Sequence, residues 1–445
     1  MYVTRVQLRN IKGFSGKRTV DLALPGGSGW TVLAGRNSSG KSTVLQAIAL
    51  ALGGPAVARA LVTDFTGWIT HGAKKGDAEV HVTSQPGLDG FVGPGNTPLD
   101  EISLGLQWTR PVEEHRGQRP VMEPLGGKGK SGPRGPWTEN PIGWFCAGYG
   151  PFRRLTGGSS EAQRLMVNQG PSGRLATLFH EDASLAEGVA WLVDLRLRAY
   201  EDKHGVAGPL LWTVLDLLRD GLLPDRYQIK RVTADGLWVV EDGHKGPGFP
   251  LQEMSDGYRT VAALVLDIVR QIHGCYGHLD TAPTAGGGVA VLQPGVVLID
   301  EVDAHLHVTW QRKIGDWLRE HFPNIQFIVS SHSPYICQAA DEGGLIRLSG
   351  VDEQQAPEVV AEDLYRRVVY GSGDDAVLSE LFGLETPYSG RAEQHRQRLV
   401  ALERKVYAET ATPEEIVEYQ ELGSLLTSSL ESRVAEVSAR LEQER

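Results

Sequence analysis

Gly35-Arg36-Asn37-Ser38-Ser39-Gly40-Lys41-Ser42 matches G-x-x-x-x-G-K-[ST] at every fixed position. The stretch before it, Trp30-Thr31-Val32-Leu33-Ala34, is short, apolar and partly β-branched, which reads as a buried strand. The stretch after it, Thr43-Val44-Leu45-Gln46-Ala47-Ile48, opens a helix. Strand, glycine loop and helix in this order build a phosphate cradle: the glycines let successive N–H groups face one anion, and the helix N-terminus adds partial positive charge. Lys41 is expected to reach the β- and γ-phosphates, and Ser42 to place its hydroxyl on a Mg²⁺ ion. Gly35, Asn37, Ser38, Ser39, Gly40 and Thr43 complete the expected nucleotide contacts. The plain alternative is a Gly/Ser loop that merely precedes a helix, and the flanking strand weighs against it.

Three further segments fit the same chemistry. Val296-Val297-Leu298-Ile299 runs into Asp300-Glu301, the way a buried parallel strand delivers carboxylates to its C-terminal edge. Asp300 is expected to hold the metal, directly or through water, and Glu301 to orient and deprotonate the attacking water. Two acids ending a buried strand need partners, because an unpaired buried charge is costly. Phe327-Ile328-Val329-Ser330 leads to Ser331-His332-Ser333-Pro334, where His332 can donate to a γ-phosphate oxygen. Met254-Ser255-Asp256-Gly257-Tyr258-Arg259 precedes the apolar run Val261 to Ile272. Taken alone, Ser255 is a good N-cap; its hydroxyl and the N–H groups through Gly257 would also suit a γ-phosphate presented from outside. Asp303, His305 and His307 follow the acidic pair, but the nucleotide reading and the next helix, with its apolar face Trp310, Ile314, Trp317 and Leu318, explain that cluster without a separate metal.

The chain has 445 residues, room for two or three domains. Acidic residues outnumber basic ones by 55 to 44, for a net charge of −11, which argues against a surface coated for nucleic acid while leaving a local basic patch open. Three scattered cysteines, Cys146, Cys275 and Cys337, suggest neither a disulfide framework nor a zinc cluster. The N-terminal segment Met1 to Asn10 reads as a strand and lacks the apolar centre of a signal peptide. No run approaches the roughly 20 apolar residues a membrane helix needs, so the expected location is cytoplasmic, with no membrane partner.

The fold class expected is α/β: a P-loop ATPase domain over residues 1–154 and 227–350, an inserted helical subdomain over 155–226, and a helical C-terminal region over 351–445. The insertion is read from helical spacing in Leu185, Val189, Leu192 and Leu195, and again in Leu210, Leu211, Val214, Leu215 and Leu218. Residues 86–100 and 110–138 are Gly- and Pro-rich loops around the strand Ile102 to Trp108, with Gly126 to Gly132 the most basic part.

In order, the phosphate loop at 35–42, the Ser-Asp-Gly segment at 255–257, Asp300-Glu301 with its His-Leu-His continuation, and Ser331-His332-Ser333-Pro334 resemble the ABC-type ATPases of the RecF, SMC and OLD group. The resemblance covers residues 1 to 350. It implies that Ser255 is the signature serine, that His332 is the switch histidine, and that two chains sandwich two nucleotides, Ser255 of one facing Lys41 of the other. Asp303 would then lie at the dimer seam. Two departures stand out. No Q-loop glutamine is obvious, since Tyr149-Gly150-Pro151-Phe152-Arg153-Arg154 follows the strand Trp144 to Gly148 and Gln163 comes only later. Arg153 or Arg154 is therefore a candidate contact to nucleotide or lid. Nothing resembles the long coiled-coil arms of SMC proteins.

More narrowly, the pattern is similar to stand-alone ATPases of bacterial anti-phage defence, the PtuA-like ATPases among them, which work beside an HNH nuclease. The resemblance implies an ATP- and Mg²⁺-dependent ATPase that forms a homodimer, or an oligomer of dimers, and controls a partner effector, expected to be a nuclease. The alternative is a RecF-like ATPase of DNA repair or maintenance that binds DNA itself; a third reading is a scaffold that binds ATP without turning it over. OLD nucleases add a TOPRIM domain with Asp-x-Asp on a strand end, whereas residues 351–445 read as helices, Arg391 to Ala408 and Pro413 to Leu426, with no such strand. The tail Ser429 to Arg445 is expected to brace the ATPase or to dock a partner.

Overall fold

The computed structural model describes residues 1–93, 100–111, 119–125, 131–153, 160–167, 170–223, 226–243, 246–383 and 388–426. The basic stretch 126–130, Arg154 and the tail from Ser429 lie outside them. The chain divides into two compact units, Met1–Ala376 and Val377–Arg445.

The first unit is built on a six-stranded sheet in the order Glu358–Val359, Leu345–Arg347, Gly29–Ala34, Ile325–Ser331, Gly295–Ile299, Cys146–Tyr149. All neighbours are parallel except the outermost pair, Leu345–Arg347 with Glu358–Val359. The three central strands are buried almost throughout, the condition under which strands read as unbroken apolar runs. Register does the rest. Ala34 lies beside Ser331, and Ile299 lies between Val329 and Tyr149. The phosphate loop, the acidic pair, His332 and the Gly150–Arg153 segment thus leave the sheet at one carboxyl edge, where ligands of such sheets bind.

The first two strands of the chain do not join this sheet. Tyr2–Arg9 and Val20–Ala23 belong to a five-stranded antiparallel sheet with Lys75–Thr83, Glu101–Thr109 and Val121–Pro124. Gln326 ties the two sheets: its side-chain amide accepts from Val3 N at 2.7 Å and donates to Val3 O at 2.8 Å.

The phosphate-loop helix, Lys41–Leu61, packs against strands of both sheets. It is 21 residues long and apolar enough, by length and composition, to cross a bilayer, contrary to the expectation that no segment reaches that length; here its apolar surface is the shared core of the two sheets. The helix is broken at Gly54, at φ 76°, directly before Pro55. Lacking an N–H, Pro55 leaves the carbonyl of Ala51, four residues back, without a helical donor, and Trp137 Nε1 donates to that oxygen at 2.8 Å.

Helices Ala186–Glu201 and Ala207–Arg219 pack on each other and on the long helix Asp256–Tyr276. Helix Pro171–Phe179 instead covers the edge strand Cys146–Tyr149, with Thr177 Oγ1 donating to Gly148 O at 3.0 Å.

The second unit contains a helical hairpin, Gly390–Tyr407 and Pro413–Leu426. Its helices run antiparallel, as Arg398 meets Glu418 at 2.6 Å and Lys405 meets Glu415 at 2.5 Å.

Candidate nucleotide site

The phosphate loop closes a cleft of about 560 Å³ that brings together Asn37, Ser38, Ser39, Gly40, Lys41, Ser42, Thr43, Glu301 and His332. Sequence positions nearly 300 residues apart therefore share one wall, as expected from strand order. Gly40, at φ 102°, is the N-cap of the helix, and a Cβ there would sit 2.5 Å from the Phe14 ring, so both conformation and space require glycine. No side chain caps this helix, which leaves the first-turn N–H groups of Lys41, Ser42 and Thr43 facing an anion site. Ser39 Oγ is buried without a partner among the described residues. Lys41 Nζ folds back to donate to Gly35 O at 2.9 Å and Arg36 O at 3.1 Å. Burial lowers its pKa to about 8, against the pull of Asp300, Glu301 and Asp303. An unpaired hydroxyl, free N–H groups and a desolvated ammonium are what a polyphosphate would satisfy.

The acidic turn is interlocked with the histidine strand. Ser330 Oγ donates to Asp300 Oδ1 at 2.5 Å and accepts from Glu301 N at 2.8 Å. One residue on, Ser331 Oγ donates to Asp303 Oδ1 at 2.6 Å. Ser333 Oγ then donates to Gln311 Oε1 at 2.7 Å, and Gln311 Nε2 donates to Leu306 O at 2.9 Å. Glu301 has φ 46°, a left-handed conformation uncommon outside glycine. Burial raises its pKa, and Asp300 and Asp303 add to the rise. Burial lowers that of His332, with Lys41 contributing. A carboxyl with raised proton affinity beside a largely neutral imidazole suits a general base and a hydrogen-bond donor at one cleft. Ser42 and Asp300 offer only oxygen, which fits a hard divalent cation such as Mg²⁺.

The sequence did not single out Lys12, Phe14, Arg18 or Val351, yet all four line this cleft. Arg18 is buried and donates through Nη2 to Ser39 O at 3.0 Å and Ser349 O at 2.9 Å, bracing the loop from behind. It ends a short 3-10 helix, Gly16–Arg18, and no spacing rule links that helix to residue 39. Gln163 is exposed on helix Ser160–Val167. Arg153 does not line the cleft among the described residues: it is 3% exposed and points its guanidinium at backbone carbonyls, so of the two arginines expected to contact nucleotide or lid it is not placed to touch nucleotide here, and Arg154 lies outside the described residues. Burial lowers its pKa to about 10, opposed by Asp303, Asp300 and Glu301.

Ser255 and Gly257 are not in this cleft. They line a separate pocket of about 240 Å³ with Asp256, Tyr258, His305, Leu306, His307 and Trp310. Ser255 is the N-cap of helix Asp256–Tyr276 as expected, but its side chain makes no capping bond and is exposed. A Cβ on Gly257 would lie 2.6 Å from His305 O, so glycine lets residues 255–257 sit directly on the His-Leu-His turn.

With this geometry in view, residues 168–338 match the family model described as "AAA domain, putative AbiEii toxin, Type IV TA system", and residues 5–87 match one described as "AAA domain". Over those two stretches the chain is similar to AAA-type ATPase domains. More particularly, it resembles the Septu protein PtuA of Bacillus mycoides (strain KBAB4), with 26% identity over 359 residues, 80% of this chain and 41% of that protein. It also resembles the Retron Ec83 probable ATPase of Escherichia coli, with 37% identity over 108 residues, 24% of this chain and 18% of that protein. A crystal structure of the SmcHead bound to the C-winged helix domain of ScpA aligns at TM-score 0.49 and 16% identity, over 81% of this chain and 97% of that one. The chain thus spans about two fifths of the PtuA relative, and less of the retron one.

Proposed function

We propose that this chain hydrolyses ATP, closes as a head-to-tail homodimer around two nucleotides, and through that cycle controls a partner effector, a nuclease, in cytoplasmic anti-phage defence. The observation that carries the reading is the meeting of Lys41, Glu301 and His332 in one cleft. In this mechanism the loop N–H groups and Lys41 bind the phosphates, Glu301 takes the proton of the attacking water, and His332 donates to the terminal phosphate. Mg²⁺ held by Ser42 and Asp300 would neutralise charge on the phosphate oxygens.

The dimer is supported by the position of the signature segment. Ser255 is exposed, carries an unused hydroxyl at a helix N-terminus, and lies outside its own chain's cleft. A second copy would bring that serine to the first copy's Lys41, with Asp303 at the seam. Closure favoured by ATP and relaxed by hydrolysis gives a two-state switch that an effector can read. Defence rests on likeness to Septu PtuA and the retron ATPase, and the nuclease partner on the family resemblance drawn from the sequence motifs.

The test is steady-state ATP hydrolysis by the purified chain, with and without linear duplex DNA, using Glu301→Gln as the blank. Turnover that falls to a small residual in Glu301→Gln and ignores DNA is the expected result. Hydrolysis by Glu301→Gln at the parental rate overturns the mechanism, and stimulation by DNA moves the trigger from a partner to nucleic acid.

A further inference from the structure

Arg153 occupies the segment where a Q-loop contact is expected, yet its guanidinium is turned to the backbone. Nη1 donates to Gly150 O and Asp300 O, each at 3.0 Å. Nη2 donates to Glu301 O at 3.1 Å and reaches Val302 O at 3.4 Å. Three consecutive carbonyls of the acidic turn thus converge on one planar fork, a geometry only arginine supplies. The middle residue, Glu301, is the one with the left-handed backbone. Its N–H is held from the other side by Ser330 Oγ, so the peptide groups flanking its φ and ψ are both pinned. Such a conformation in a non-glycine residue persists only where surrounding bonds over-determine it.

We infer that Arg153 is the positioning residue of the acidic turn, seating the carbonyls of Asp300, Glu301 and Val302 so that the Glu301 backbone stays left-handed and its carboxylate faces the phosphate cleft. The fork also fixes Gly150, so the turn is referenced to the end of the edge strand. That strand end has its own anchors: Tyr149 O accepts from Asp300 N at 2.8 Å, and Tyr149 Oη donates to Asp267 Oδ2 of the signature helix at 3.0 Å. Arg153 therefore acts on turnover through Glu301 and leaves the phosphate-binding groups untouched. This inference rests on the reading of Glu301 as the base.

The experiment is Arg153→Met in the full chain, reading binding of a slowly hydrolysed ATP analogue and steady-state kcat, alone and combined with Glu301→Gln. The expected result is a kcat lower by about 10²-fold, the scale set by displacing a catalytic group by about 1 Å, with analogue affinity within about threefold of the parent. In the Glu301→Gln background the same change should lower residual turnover no further, because both act through one group. A general structural role would lower it again, and would overturn the inference. Loss of analogue binding by a folded Arg153→Met also overturns it, since Arg153 would then touch nucleotide. Should Arg153→Met not fold, Arg153→Lys carries the test: an ammonium cannot span the fork, so about tenfold loss of kcat with analogue binding retained is expected, and parental kcat overturns the inference. Inactive Glu301→Gln with parental Arg153→Met removes this inference alone; active Glu301→Gln removes it together with the base.

Discussion

The acidic turn at the phosphate cleft and the helix start at Ser255 are built in opposite ways. Around Asp300 and Glu301 nearly every polar group is engaged: Ser330, Ser331 and Arg153 hold the turn from two elements, and the acids sit at the carboxyl edge of a buried sheet. At Ser255 the helix begins in solvent, without a side-chain cap, and the hydroxyl is free of any capping bond. A preorganised half costs no rearrangement when substrate arrives, whereas an open half can be completed from outside. In the dimer proposed above, the first face would be prepared in advance and the second offered by the other copy.

The largest effect expected on that contrast comes from Lys41→Ala. Removing the only lysine ammonium inside the phosphate loop should lower turnover by about 10²–10³-fold and weaken nucleotide binding with it, read by titration with a fluorescent ATP analogue. Next is Ser330→Ala, which removes the donor to Asp300 and the acceptor for Glu301 N. A hydrogen bond to a charged group is worth about 1.5–3 kcal/mol, so kcat should fall by about 10- to 100-fold with binding retained. Ser255→Ala should lower turnover by about tenfold while single-chain nucleotide binding stays at the parental level. If Ser255→Ala weakened binding by an isolated chain, the offered face would belong to its own cleft and the contrast would collapse.

Two smaller effects sharpen the picture. Trp137→Phe leaves the Ala51 carbonyl without its donor and should cost about 1–3 kcal/mol in chemical denaturation, with turnover little changed. The pH profile follows from Glu301. Its pKa is raised, chiefly by burial, and a base works only when ionised, so turnover is present above that pKa and lost as pH falls through it. The acid limb should lie above the ordinary glutamate value of 4.5 and be absent from any residual activity of Glu301→Gln.

Much of the site was legible because its chemistry is local in sequence. A glycine-rich loop must follow a strand and open a helix, so residues 35 to 43 declare themselves; apolar runs ending in Asp300-Glu301 and Ser331-His332 declare strand ends. The first two strands were harder. Their apolar alternation marks them as strands, but membership of a separate antiparallel sheet depends on pairing with Lys75–Thr83, some 70 residues on. The role of Arg153 was left open for a related reason. A buried arginine and an exposed one look alike in sequence, and what decides its role is where four carbonyls from two segments converge. The phosphate-loop helix shows the reverse case: its composition passes for a membrane span, and only the two sheets that enclose it explain the apolarity.

By itself the sequence determined the phosphate loop, the acidic strand end, the histidine strand and the serine that opens the long helix, because each is a short-range pattern with a fixed chemical purpose. Only the tertiary structure decided that Lys41, Glu301 and His332 share a cleft while Ser255 lies apart, and that Arg18 and Arg153 brace the loop and the turn from behind. Those facts depend on strand register and on which carbonyls a buried guanidinium can reach, and neither is encoded in the spacing of residues along the chain.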